Sequence, residues 1–266
     1  MMDTARDEHG AFLANKHFGS LDGIRALSVA AVIWHHSPPE THAGLPARGF
    51  LGVDMFFVLS GFLIVTLLLR EKVRNGEISL RKFYIRRTLR IFPVYYGLIL
   101  ALTVAFLLAP STSSNKASWF AELPILLFYL ANFVETTSVL AHAWSLAAEE
   151  QFYLIWPSVE RFSERFAYIV LGVAIAVSQV LHFRLIDYLI PGFSEHVPAQ
   201  MFLQATFTPI LLGVALAHGL HGNVGFERAY RYLSPAWASP TLLALLLAVI
   251  ALTPNDMTGW PRLLTH

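Results

Sequence analysis

The chain has 266 residues, of which 55% are hydrophobic and only 14% charged, with a formal net charge of +1 and no cysteine. A soluble domain carries about 25% charged residues, so this composition excludes an ordinary soluble protein and points to a polytopic membrane protein. The near-neutral balance leaves no footprint for nucleic acid, and the missing thiols exclude disulfides, thiolate metal sites and a cysteine nucleophile.

Residues 1–21 are polar, mixed in charge and read as a cytoplasmic tail ahead of a single transmembrane domain, 22–266. They lack the basic start, short apolar core and small-residue cleavage site of a signal peptide, so the first helix is expected to stay as a span. A membrane-spanning helix needs about 20 mostly apolar residues. Candidates lie near 22–37, 50–69, 91–109, 119–134, 144–160, 166–186, 200–219 and 239–253. Short polar links with Pro, Gly and Ser separate them, and no internal repeat is visible. The predicted fold is an all-α polytopic transmembrane helix bundle of about eight spans.

In the first span, "GIRALSVAAVIWHHS" (23–37), two costly groups stand out. Arg25 and His36 are eleven residues apart, close to three helical turns, so they face the same way with ~16 Å between them along the axis. Asp22, Val29 and Val32 share that stripe, while His35 points roughly 80° away and reads as structural. Two readings stay open. Arg25 snorkels and the histidine makes an interhelical hydrogen bond, or both face an aqueous cavity or substrate path.

The second span opens with "GFLGVDMFFVLSGFLI" (49–64), which puts Asp54 at about the depth of His36. A carboxylate beside a histidine fixes its tautomer and makes it a better general base. Alternatively, Asp54 caps the start of the span. Gly52 and Gly61 permit close helix packing in either case.

The link at 70–90 is the densest basic stretch, with Arg70, Lys72, Arg74, Arg81, Lys82, Arg86, Arg87 and Arg90 against Glu71 and Glu77. Lys and Arg mark cytoplasmic loops, so the N-terminus is expected in the cytoplasm and residues 38–49 outside. Anchoring accounts for Arg81, Lys82 and Arg86. Arg87 and Arg90 lie deeper, just before Pro93, and guanidinium forks suit the phosphates of a cytoplasmic ligand.

In "HAWSLAAEEQFYLIWP" (142–157), Ser145, Glu149 and Tyr153 form one stripe at i+4 steps, with Glu150 on another face. Two adjacent glutamates in an apolar stretch are too costly for idle packing. A salt bridge to one of the arginines and a functional role are both open. If 144–160 crosses, Arg161, Arg165, Arg228 and Arg231 fall outside, against the positive-inside tendency. If it only dips into the membrane they fall inside, which charge counting favours.

Four pieces in this order, "LDGIRALSVAAVIWHH", "GVDMFFVLSGFLI", "FYIRRTLRIFPVYY" and "WSLAAEEQFYLIWP", resemble the acyltransferase 3 family of membrane acyltransferases. They cover residues 21–157, and the later part is similar only in hydropathy. The resemblance implies transfer of an acyl group, usually acetyl, from cytoplasmic acyl-CoA to a hydroxyl of an extracytoplasmic carbohydrate or glycolipid. It implies a multi-pass protein of the plasma membrane with about ten spans, in which 144–160 does cross. Carried over by motif, Arg25 and His36 are its Arg-x10-His pair, Arg87 and Arg90 its Arg-x-x-Arg pair, and Glu149 its acidic position. His36, oriented by Asp54, would act as general base or form an acyl-histidine, and Glu149 would assist. Arg25, Arg87 and Arg90 would hold the phosphates of acyl-CoA, whose arm runs up the bundle to His36, and no metal is expected. Family members run longer and commonly carry a Ser-Tyr-x-x-Tyr-Leu-x-His type stretch, for which this chain has no match before "TGWPRLLTH" (258–266), so a C-terminally incomplete domain is expected. The competing class is a transporter with an intramembrane Arg/His/Glu path.

Overall fold

The computed structural model describes residues 2–15, 18–37, 48–110, 114–134, 136, 139–183, 185–193 and 207–252. Most of the 37–49 link and the closing "TGWPRLLTH" lie outside the described residues. Within them the protein is all-α, with no strand. The helices are α1 (Met2–Ala14), α2 (Gly19–His35), α3 (Leu51–Asn75), α4 (Leu80–Leu108), α5 (Ser114–Leu127), α6 (Ala143–Phe162), α7 (Glu164–His182), α8 (Thr208–His221), α9 (Asn223–Leu233) and α10 (Ala238–Leu252).

Three of them, α3, α4 and α7, are long and apolar enough to cross a membrane by length and composition, and α9 with α10 adds an apolar pair bent by 85°. The other expected spans each contain a helix among the described residues, but a shorter or more charged one. α2 has 17 residues, α5 and α8 have 14 each, and α6 carries Glu149, Glu150, Glu160 and Arg161. The chain divides into two compact units.

The first unit holds α1–α3, most of α7, and α8–α10. α3 is its centre, burying Phe57, Phe62, Val65 and Leu68. Glycine sets the helix spacing here. A Cβ on Gly61 would stand 2.1 Å from the Ile210 carbonyl oxygen, and one on Gly213 2.1 Å from that of Val58. The backbones of α3 and α8 therefore meet through reciprocal glycines. Gly52 does the same against α2, where a Cβ would lie 2.4 Å from the Ser28 carbonyl oxygen. α7 runs antiparallel to α8, with the Ser178 and Thr208 hydroxyls 2.7 Å apart at one end and the Tyr168 and His218 rings 4.7 Å apart at the other.

Residues expected as a tail fold as α1 and lie against α9. The His9 Nε2–H donates to the Leu220 and His221 carbonyls at 3.2 and 3.1 Å, satisfying two acceptors at the C-terminus of α8. The Phe12 and Phe226 rings meet at 5.6 Å, and Arg6 faces Glu227 at 3.8 Å. Arg70, near the end of α3, donates to the Phe12 and Asn15 carbonyls.

The second unit is built on α4–α6. α4 stays helical through Pro93. α5 returns antiparallel along its C-terminal half. Lys116 donates to the Ala109 carbonyl at 3.0 Å, Trp119 to the Thr103 hydroxyl at 3.2 Å, and Tyr95 to the Leu126 carbonyl at 2.8 Å. Segment 119–134, expected as one span, instead stops being helical at Leu127 and turns through Tyr129, whose φ of 54° lies in the left-handed region. Gln151 holds that turn. It donates to the Tyr129 carbonyl at 2.8 Å and exchanges hydrogen bonds with Asn132 at 2.8 and 3.0 Å.

From there α6 continues along the N-terminal half of α4. Tyr84 donates to the Leu154 carbonyl at 2.7 Å, and Arg161 faces Glu77 at 3.8 Å. At 1.5 Å per residue, α4 is ~43 Å long and α5 and α6 are ~21 and ~30 Å. The two shorter helices thus share the length of one long partner, with the Tyr129 turn between them.

Candidate active site

The second unit gathers its polar groups around one arginine. Arg87 donates from Nε and Nη2 to Glu150 Oε1 at 3.3 and 3.2 Å, and its Nη2 lies 3.8 Å from Glu149 Oε1. The flat guanidinium stacks over the Tyr153 ring, 3.5 Å from its centroid, and the Tyr153 hydroxyl donates to Glu149. A planar cation can serve two carboxylates along its edges and a ring on its face at once, which a lysine cannot.

Glu150, set on another face by its helical angle, is the nearer partner. Consecutive residues are about 100° apart, and a guanidinium approaching between them reaches both. The salt bridge left open by the sequence is therefore present. With two carboxylates around one guanidinium, the charge of Arg87 is spent within the protein. Arg90, one turn further, is exposed and makes no ion pair among the described residues.

Beside this cluster is a cavity of about 350 Å³, lined among others by Tyr84, Arg87, Phe92, Tyr129, Glu150 and Tyr153. It opens where α5 ends and α6 passes α4. Sequence reasoning singled out Arg87 and Glu149 of this site and left a glutamate–arginine salt bridge open, but it did not name Glu150 as the nearer partner and missed Tyr129 and Gln151. The adjacency of Glu150 to Glu149 was the signal for that pairing. Nothing local marks Tyr129 or Gln151, because their roles come from a turn closed over a distance in the chain.

The first unit holds the other candidates. Arg25 is half-buried, 3.7 Å from Asp22, with its guanidinium carbon 5.8 Å from the Phe56 ring centroid. Its Nε is buried and has no hydrogen-bond partner among the described residues. His36 caps the C-terminus of α2 and is exposed, whereas His35 turns toward Phe50, ring to ring at 5.4 Å.

A 2.8 Å hydrogen bond joins His36 Nδ1 to the Val32 carbonyl. A carbonyl only accepts, so Nδ1 carries the proton and Nε2 is the basic nitrogen. The backbone carbonyl thus accounts for Nδ1, one of the two ring nitrogens. Asp54 is buried, 5% exposed, in the first turn of α3, where the helix dipole favours a carboxylate. Arg87 and Glu149 are brought together in the second unit, while Arg25, His36 and Asp54 belong to the first. Among the described residues there is no cluster of three metal-ligating side chains.

The acyltransferase 3 family, described as an acyltransferase domain, matches residues 18–264. A Staphylococcus aureus (strain COL) protein provisionally named an O-acetyltransferase is 30% identical over 270 residues, covering 92% of this chain and 42% of its own length. The peptidoglycan O-acetyltransferase OatA of Listeria monocytogenes serovar 1/2a is 38% identical over 161 residues, 54% of this chain and 24% of that protein. The O-acetyltransferase OatA of Staphylococcus aureus (strain NCTC 8325 / PS 47) is 33% identical over 189 residues, 63% of this chain and 30% of that protein. The chain spans less than half the length of these curated relatives. No solved structure matches it.

Proposed function

Since the chain belongs to the acyltransferase 3 family, we propose that it moves an acetyl group from cytoplasmic acetyl-CoA to a hydroxyl of an extracytoplasmic carbohydrate. The Listeria relative acts, by its name, on peptidoglycan, which makes a peptidoglycan sugar the first acceptor to try. The observation that carries the reading is the His36 tautomer, with Nδ1 bound to a carbonyl and Nε2 left basic. In the transfer, Nε2 takes the proton of the acceptor hydroxyl as its oxygen attacks the thioester carbonyl. The C–O bond forms, the C–S bond breaks, and the proton passes to the departing CoA thiolate. Nucleophilic attack by Nε2 itself, giving an acyl-histidine, uses the same atom. Glu149 and Asp54 serve as supporting carboxylates. Arg90, exposed and without an ion pair among the described residues, is the arginine best suited to a CoA phosphate, with Arg25 as a second cation on its own helix.

The helix contacts support a plasma-membrane orientation with the N-terminus in the cytoplasm. Because α5 and α6 share the length of α4, the two make one broken crossing rather than two. Arg161 then returns to the side of the basic link, where Glu77 meets it at 3.8 Å. α1 lies against α9, which keeps Arg228 and Arg231 on the side of the N-terminus. All four distal arginines become cytoplasmic, as the positive-inside rule asks. The chain lacks cysteine, so single cysteines introduced at Glu164 and Arg228 test this directly. Both should react with a membrane-impermeant maleimide only after the cytoplasmic face is opened, and labelling of Glu164→Cys in intact cells overturns the broken crossing.

Activity is tested with membranes containing the full chain and radiolabelled acetyl-CoA. Label on outer carbohydrate is expected. Uptake of label into no acceptor by correctly inserted protein overturns the reading.

A further inference from the structure

Tyr129 is a misfit in its own core. It is 8% exposed, its ring stacks on Tyr95 with centroids 4.5 Å apart, yet its hydroxyl is buried with no hydrogen-bond partner among the described residues. Its neighbours solve the same problem locally. The Tyr95 hydroxyl donates to the Leu126 carbonyl at 2.8 Å and that of Tyr96 to the Leu127 carbonyl at 3.0 Å. A buried hydroxyl is costly to leave unmatched, and phenylalanine would stack equally well.

Tyr129 also sits at the break between α5 and α6, and it lines the cavity of about 350 Å³. That volume suits a small ligand or one segment of a larger one. Inside a membrane, non-helical backbone is tolerated where it is buried in protein or lines a cavity, and broken helices mark binding sites in other membrane proteins. The charge of the walls then selects the ligand. Arg87 is already engaged by Glu150 and Glu149, which makes it a poor partner for phosphate, while the rings of Phe92, Tyr84 and Tyr153 favour an uncharged chain.

We propose that this cavity binds the amide-bearing arm of the acyl-thioester donor, with the Tyr129 hydroxyl hydrogen-bonding one of its amides. The assignment rests on the acyl-CoA reading above and adds to it a place for the uncharged part of the donor. The cavity faces α4 between Tyr84 and Phe92, near the basic end of that helix. That is the cytoplasmic side, where the donor enters and the outer acceptor does not.

The test compares two ligands on the full chain in detergent, acetyl-CoA and adenosine 3′,5′-diphosphate, a nucleotide fragment that lacks the arm. Tyr129→Phe should weaken acetyl-CoA about tenfold, leave the nucleotide affinity unchanged, and not lower the melting temperature, because no internal hydrogen bond is lost. Thr88→Phe, which narrows the cavity from its rim, should show the same selectivity. Unchanged acetyl-CoA affinity in both variants overturns the assignment, as does an equal loss for both ligands. If the native chain binds the nucleotide but not acetyl-CoA any better, the arm has no site here. If it binds neither, the acyl-CoA reading itself fails.

Discussion

The end of α2 and the face between α4 and α6 treat their ionisable groups in opposite ways. On α2, His36 is exposed, and its Nδ1 is 2.8 Å from a backbone carbonyl. Between α4 and α6, Arg87 is tied to two carboxylates and a ring, and its side chain is only 17% exposed. One region presents its ionisable ring at the surface. The other is a closed electrostatic unit in which each member's burial depends on the rest.

Substitutions separate the two. His36→Ala should have the largest effect on turnover, a loss of about 10²–10⁴-fold, the range for removing a general base. Its melting temperature should stay at the native value, since an exposed ring is removed. Turnover within a few-fold of native would move the chemistry elsewhere.

Arg87→Ala comes next and acts on stability, stranding two buried carboxylates at a cost of ~3–5 kcal/mol. Thermal unfolding in detergent should show this as a marked fall in melting temperature. Adding Glu150→Gln to the same chain should recover part of it, because contacting groups are not additive. A double variant no more stable than the single one would show that the cluster is not an electrostatic unit.

Arg90→Lys should have the smallest effect. An ammonium keeps the charge but loses the bidentate fork, so acetyl-CoA affinity should fall several-fold with unchanged melting temperature. If Arg87→Lys lowers affinity more than Arg90→Lys does, while remaining folded, the assignment of phosphate to Arg90 reverses.

Much of this was legible in the sequence. The apolar runs dictate helices, the spacing of Arg25 and His36 is a property of one helix, and four motifs carry the family resemblance. The expectation of close approach at Gly52 and Gly61 also holds in the structure. Glu150 was harder, because a helical angle says which way a residue leaves its helix and not how far an arginine on another helix will reach.

Local periodicity and composition determined that this is an all-α membrane protein and which residues could bear chemistry, because both depend on near neighbours in the chain. The tertiary structure decided that α5 and α6 share one partner, that Arg87 is paired with two glutamates, and that Tyr129 borders a cavity. Those facts depend on pairings such as Gln151 with Tyr129 and Arg87 with Glu150, up to 63 residues apart. A hydropathy window averages over neighbours and is blind to a hydrogen bond made across that distance.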